Sequence, residues 1–227
     1  MIKNVKVYGL YESMIASGYP MLEEDLTEKE FTYEVKNLKK HIEICEDLAK
    51  KGIAIKDVED KELQTAYRHY RRCLNLGNVA NGTGHDNFSK GVRVQFDLTA
   101  THVFMPQFMR YHFQDIISSM SKMHRLLKMD LKKVCHPLVR KETLDNLNMI
   151  IEEYNENPTP EKFEEVVMNT PLGLRLTARV EISYLQLKTM YGQRRQHKMS
   201  EWRVFLEQLI ANCPHFKEIC LASHNAC

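Results

Sequence analysis

Between Gly91 and Thr99 apolar and polar side chains alternate without a break: Val92, Val94, Phe96 and Leu98 are separated by Arg93, Gln95 and Asp97. A period of two sends successive side chains to opposite faces, so this segment reads as a half-buried strand. A helix would scatter the same four apolar residues over opposite sides. The chain therefore contains a sheet with one apolar face, and other elements must cover that face.

The flanking patterns supply the cover. Met1–Leu10 alternates like a second strand, and Leu172–Val180 reads as a third. Helical periodicity runs through Thr27–Lys51, Asp60–Leu76, Glu142–Asn155, Thr159–Met168, Val180–Arg194 and Ser200–Asn212. Thr27 followed by Glu30 predicts a capping box, and Gly52 predicts the end of that helix. Thr159 before Pro160 predicts an N-cap with proline in the first turn. Val103–His112 also reads as a helix, with Gln107 and Arg110 on one face. At 227 residues and 43% apolar composition, the chain is expected to form one α/β (α+β) domain over residues 1–227, with no internal repeat.

Several function classes recede. A net charge of +2 gives no strong drive toward nucleic acid or anionic membrane. No apolar run approaches the roughly 20 residues that span a bilayer. Met1–Leu10 lacks the apolar stretch of a signal peptide, so a cytoplasmic location is expected. Cys45, Cys73, Cys135, Cys213, Cys220 and Cys227 are scattered without paired spacing, which reads as reduced thiols rather than disulfides or a zinc site. His102, His112 and His124 fit no metal-ligand spacing, so no metal is expected.

The residues with chemistry cluster in a few places. A guanidinium and an amide, Arg110 and Gln107, can grip a planar anion; a solvated helix face is the alternative. Asn75–Asn87 carries Gly77, Gly82 and Gly84 and ends near His85, either a tight loop that approaches a ligand or a plain connector. Arg194, Arg195, His197, Lys198 and Arg203 suit a phosphate or a solvated helix end. Ser118, Ser119 and Ser121 near His124 and Arg125 lack a Gly-x-Ser-x-Gly elbow and an orienting Asp, so helix capping is the plainer reading. Met105, Met109, Met120, Met123 and Met129 read as core or subunit packing.

Gly84-His85-Asp86, Gln95-Phe96-Asp97-Leu98 and Gln107-Phe108-Met109-Arg110 follow one another at fixed separations, and Arg194-Arg195 precedes Ser200-Glu201-Trp202-Arg203-Val204. In this order the two blocks resemble the flavin-dependent thymidylate synthase (ThyX) family, which carries Gly-His-Glu, a Phe-x-Phe-x-Val strand, Gln-x-x-Arg-His-Arg, a Ser seven residues on, and Ala-Gln-Trp-Glu-Ile near its end. Departures stand beside the matches. The family's Arg-His-Arg reads Arg110-Tyr111-His112, a family histidine is replaced by Gly91, and the expected Ser falls on Met120, next to Ser119 and Ser121.

The resemblance implies an antiparallel sheet flanked by helices and a homotetramer with sites between subunits. It implies reductive methylation of dUMP to dTMP, with the methylene from methylenetetrahydrofolate, electrons from NADPH and FAD as hydride carrier. Gln107, Arg110, Ser121, Arg125 and Arg195 would hold the nucleotide, Ser121 and Arg195 with catalytic roles. His85, Arg110, Tyr111 and His112 would face the flavin, where the departures predict weakened FAD binding. Two other outcomes stay open: a diverged enzyme that hydroxymethylates or otherwise modifies a pyrimidine nucleotide, and a non-enzymatic nucleotide-binding or assembly protein.

Overall fold

The alternating segment becomes a central strand. In the computed structural model, which describes residues 1–222, β1 (Ile2–Tyr8), β2 (Arg93–Thr101), β3 (Asp115–Ser119) and β4 (Arg175–Ser183) form one sheet in the order β1-β2-β4-β3, each neighbour antiparallel. Helices α1 (Leu10–Ala16), α2 (Glu28–Lys50) and α3 (Lys61–Gly77) lie between β1 and β2 in sequence, and α4 (Phe104–Phe108) between β2 and β3. Four more, α5 (Lys122–Arg125), α6 (Leu131–Val134), α7 (Lys141–Glu156) and α8 (Pro160–Met168), separate β3 from β4. The described chain closes with α9 (Tyr184–Arg194), α10 (Ser200–Asn212) and α11 (Phe216–Leu221).

The period of two sorts the two faces of the sheet. Val94, Phe96, Leu98 and Ala100 of β2 are buried with Ala178, Val180 and Ile182 of β4. They share one cluster with Leu38 and Ile42 of α2, Tyr67 and Tyr70 of α3, and Phe205 and Leu209 of α10. On the opposite face the register sets Gln95 against Glu181, Asp97 against Arg179 and Thr99 against Thr177. Each pair is hydrogen-bonded: Gln95 Nε2 to Glu181 at 2.7 Å, an Arg179 terminal nitrogen to Asp97 at 3.1 Å, and the two threonine hydroxyls at 2.8 Å. Such cross-strand pairs contribute about 0.2–1 kcal/mol each.

Local signals account for several helix ends. The Thr27–Glu30 capping box is formed, and Gly52 takes the left-handed φ of 70° that a residue with Cβ resists. Asp60 caps α3 by accepting from the Leu63 N–H, and Thr159 caps α8 by accepting from Lys162. Ser183 and Gln186 form a second capping box, so α9 starts at Tyr184 and β4 keeps the residues up to Ser183. A turn in which Leu174 N–H donates to Pro171 O delays β4 to Arg175.

The region between β3 and β4 carries its own apolar cluster, centred on Leu126, Leu131, Leu144, Leu147, Val166 and Leu174. Cys45, Cys73, Cys135, Cys213 and Cys220 are free and buried; Cys227 lies outside the described residues. Burial pushes the Cys45 and Cys213 thiols up to about 12 and that of Cys73 to about 11. Among the described residues, no helix is long and apolar enough to cross a membrane, and no group of three or more His, Cys, Asp or Glu is placed to hold a metal ion.

Candidate functional site

Where β2 begins and β4 ends, Arg93 stands opposite Ser183 at one end of the sheet. A cleft of about 650 Å³ opens there, within the roughly 300–1,000 Å³ usual for small-molecule sites. Its wall comes from four places: Lys90 before β2, Arg93 and Ser183 of the sheet, Arg110 to Phe113 after α4, and Leu185 to Arg194 along α9. Among the described residues no carboxylate lines it, while Lys90, Arg93, Arg110, His112 and Arg194 do. Arg93 is matched by Glu181 behind it, at 2.7–2.8 Å, and bonds from Gln95 and Arg93 hold the Glu181 carboxyl below its usual range. The cleft therefore favours an anion, with Phe113 and Leu185 supplying apolar surface.

Arg194 is seated among aromatic side chains. Its Nε donates to the Tyr111 hydroxyl at 2.8 Å, and that hydroxyl donates to Gln193 Oε1 at 3.0 Å. The guanidinium carbon lies 5.0 Å from the Trp202 ring centre and 5.7 Å from that of Tyr111. Cation–aromatic contacts of this kind contribute about 0.5–2 kcal/mol. Trp202 is itself fixed, because its indole N–H donates to Gln107 Oε1 at 3.1 Å.

The residues singled out in the sequence separate into groups. Arg110, Tyr111 and His112 come together at the cleft. Gln107 does not join them. Its helix ends at Phe108, so Gln107 and Arg110 share no helical face, and the Gln107 amide turns inward to Trp202, Val103 O and Met199 Sδ. His85 is exposed, and Lys90 of the same segment reaches the cleft instead. Ser121 caps α5, its hydroxyl accepting from the His124 N–H at 3.3 Å, and Arg125 lines a separate hollow with His124 and Lys128. Arg195 is the C-cap that follows α9, its backbone N–H bonded to Tyr191 O at 3.0 Å, while its neighbour Arg194 faces the cleft. Arg203 donates to the carbonyls of His197 and Lys198 and so closes the turn before α10.

A buried ion pair supports this wall, and sequence reasoning passes over it. Lys188 Nζ donates to Asp86 Oδ2 and to Val79 O, each at 2.7 Å, with the two side chains 0% and 2% exposed. It binds the loop that leads to Lys90 onto α9. The available signal is position: Lys188 follows Leu187 and lies four residues beyond Tyr184, on the face that the buried residues of α9 mark.

Gly91 explains one departure physically. A Cβ there would lie 2.4 Å from Ser13 Oγ, because α1 packs directly on this turn. Any side chain there therefore requires Ser13 to move. Gly91→His is expected to destabilise the protein by about 1–3 kcal/mol, the usual cost of overpacking. An unchanged urea midpoint would show instead that α1 yields freely.

Compared by sequence, the chain matches no protein-family model and no curated protein. Compared by shape, it is similar to the flavin-dependent thymidylate synthase ThyX from Helicobacter pylori complexed with FAD and dUMP. That match has a TM-score of 0.57 and 12% identity, and covers 82% of this chain and 92% of that one. A second structure of the Helicobacter pylori enzyme with FAD and dUMP matches over the same shares at 13% identity and a TM-score of 0.57. At such identity the likeness is one of fold: the chain has a ThyX-like α/β fold, an antiparallel four-stranded sheet flanked by helices.

Proposed function

We propose that the cleft binds FAD beside a pyrimidine nucleotide, and that the protein converts dUMP to dTMP with methylenetetrahydrofolate and NADPH as co-substrates. The observation that carries this reading is the gathering of Arg110, Tyr111 and His112 on one carboxylate-free cleft among the described residues. They stand at the family's Arg-His-Arg, in a chain whose fold is shared with a synthase solved with FAD and dUMP. The donor set fits such ligands: Lys90, Arg110 and Arg194 suit phosphates, and Phe113 and Leu185 suit a flat ring. When bound, FAD would supply the hydride. The chain's own residues would bind phosphate, orient the ring and exclude water.

Ser121 and Arg125 enter the same reading through assembly. They lie away from the cleft of their own chain, so in a homotetramer they would serve the cleft of a neighbouring copy. β3 is an edge strand, and Met109, Phe113 and Ile117 around it are exposed apolar residues suited to such a contact. Light scattering should report a tetramer; a monomer at micromolar concentration would remove the shared site.

The nucleotide is tested by calorimetry with dUMP. Arg110→Ala should weaken binding at least about tenfold, equivalent to about 1.4 kcal/mol. Arg195→Ala should weaken it as much, because Arg195 does not line the cleft of its own chain and would serve that of a neighbouring copy, as Ser121 and Arg125 would. Unchanged affinity in both would remove the nucleotide assignment. Because His112 replaces a permanent cation and Gly91 supplies no imidazole, FAD should bind more weakly than at the complete motif. Protein reconstituted with FAD should show flavin absorbance and form dTMP from dUMP. A hydroxymethylated product would favour the diverged enzyme, and a colourless protein that binds dUMP the non-enzymatic one.

A further inference from the structure

We propose that Arg194 is the preorganised phosphate anchor of the cleft, held in place by Tyr111 and Trp202 as positioning residues. The inference rests on the reading of a phosphorylated ligand given above, but it concerns the cation that would meet the phosphate. The cations at the cleft differ in how they are held. Arg93 is matched by Glu181 at 2.7–2.8 Å, and the Lys90 and Arg110 side chains are exposed to solvent. Arg194 has neither property.

Its Nε is occupied by the Tyr111 hydroxyl at 2.8 Å, which fixes the plane of the guanidinium. The Trp202 ring, 5.0 Å away, limits motion out of that plane. Trp202 is 0% exposed and bonded to Gln107, so this support belongs to the core rather than to the surface. Among the described residues the two terminal nitrogens keep their donors for a ligand, in the paired geometry that matches two oxygens of a phosphate. A cation already immobilised loses little freedom when a ligand arrives, which is the source of its advantage over a lysine. Arg194 also sits at the C-terminal end of α9, where the helix field favours a positive charge.

Inorganic pyrophosphate and FAD, titrated separately by calorimetry into the full chain, test this. Pyrophosphate should bind the wild type, and Arg194→Gln should weaken it at least about tenfold. Arg194→Lys, which keeps the charge and loses the fork, should fall between them. Tyr111→Phe should weaken pyrophosphate severalfold in the wild type and have no further effect in Arg194→Gln, a coupling that general damage to the fold would not produce. Thermal melts of each variant show whether the fold is intact. Wild type that binds pyrophosphate but not FAD would remove the flavin reading and leave the anchor standing. Wild type that binds no pyrophosphate, or a folded Arg194→Gln that binds it as tightly as the wild type, would overturn the anchor.

Discussion

Lys188→Met is expected to destabilise the protein by about 3–5 kcal/mol, the cost of leaving one member of a buried ion pair alone. Methionine fills nearly the same volume, so the loss is electrostatic rather than one of packing. Asp86 would keep a carboxylate 2% exposed without its cation, and Val79 O would lose its donor. Removing both charges, with Lys188→Met and Asp86→Leu together, should recover much of the loss, because no uncompensated charge then remains. Urea denaturation of the two variants and the wild type decides the matter. A single variant within about 0.5 kcal/mol of wild type, the range of ordinary surface substitutions, would mean that water reaches the pair.

Trp202→Ala is the second large effect, also about 3–5 kcal/mol, as for large aromatic truncations in a core. The ring centre lies 4.4 Å from that of Phe104 and 5.8 Å from that of Phe205, and the residue is fully buried. Alanine would leave a cavity that the neighbouring aromatic rings cannot close without leaving their own contacts. Trp202→Phe separates packing from polarity. It retains most of the ring but removes the N–H that satisfies Gln107 Oε1 at 3.1 Å, for about 1–3 kcal/mol. Chemical denaturation followed by circular dichroism measures both, since the chain's single tryptophan is itself being replaced. If Trp202→Phe costs as much as Trp202→Ala, the indole hydrogen bond and not the packing dominates.

What could be read beforehand depended on how local the cause was. The alternation in β2, the Thr27–Glu30 box, Gly52 and the Thr159–Pro160 start are decided by neighbours in sequence, and each lies where the pattern puts it. β3 is different. It is five residues long, three of them exposed besides Asp115, and a bulge between Ile116 and Ser118 interrupts its register. Pairing with β4 makes it a strand, so no period was there to read. For the same reason Val103–His112 is helical only over Phe104–Phe108: the chain turns so that Tyr111 meets Trp202 and β3 reaches the edge of the sheet. The Asp86–Lys188 pair joins residues 102 apart, which spacing within either segment cannot disclose.

The route by which the sheet is closed sets how the chain reaches its native state. β1 meets β2 with Ile2 opposite Leu98, and β2 meets β4 with Arg93 opposite Ser183, so neither pairing can form until distant segments find each other. The α2–α3 hairpin needs only a short connection and can assemble first. Loop closure on this scale precedes any reward from strand pairing, which slows folding. During that interval β2 offers both edges and an apolar face to other chains. Refolding yield should therefore fall with protein concentration well before native stability changes.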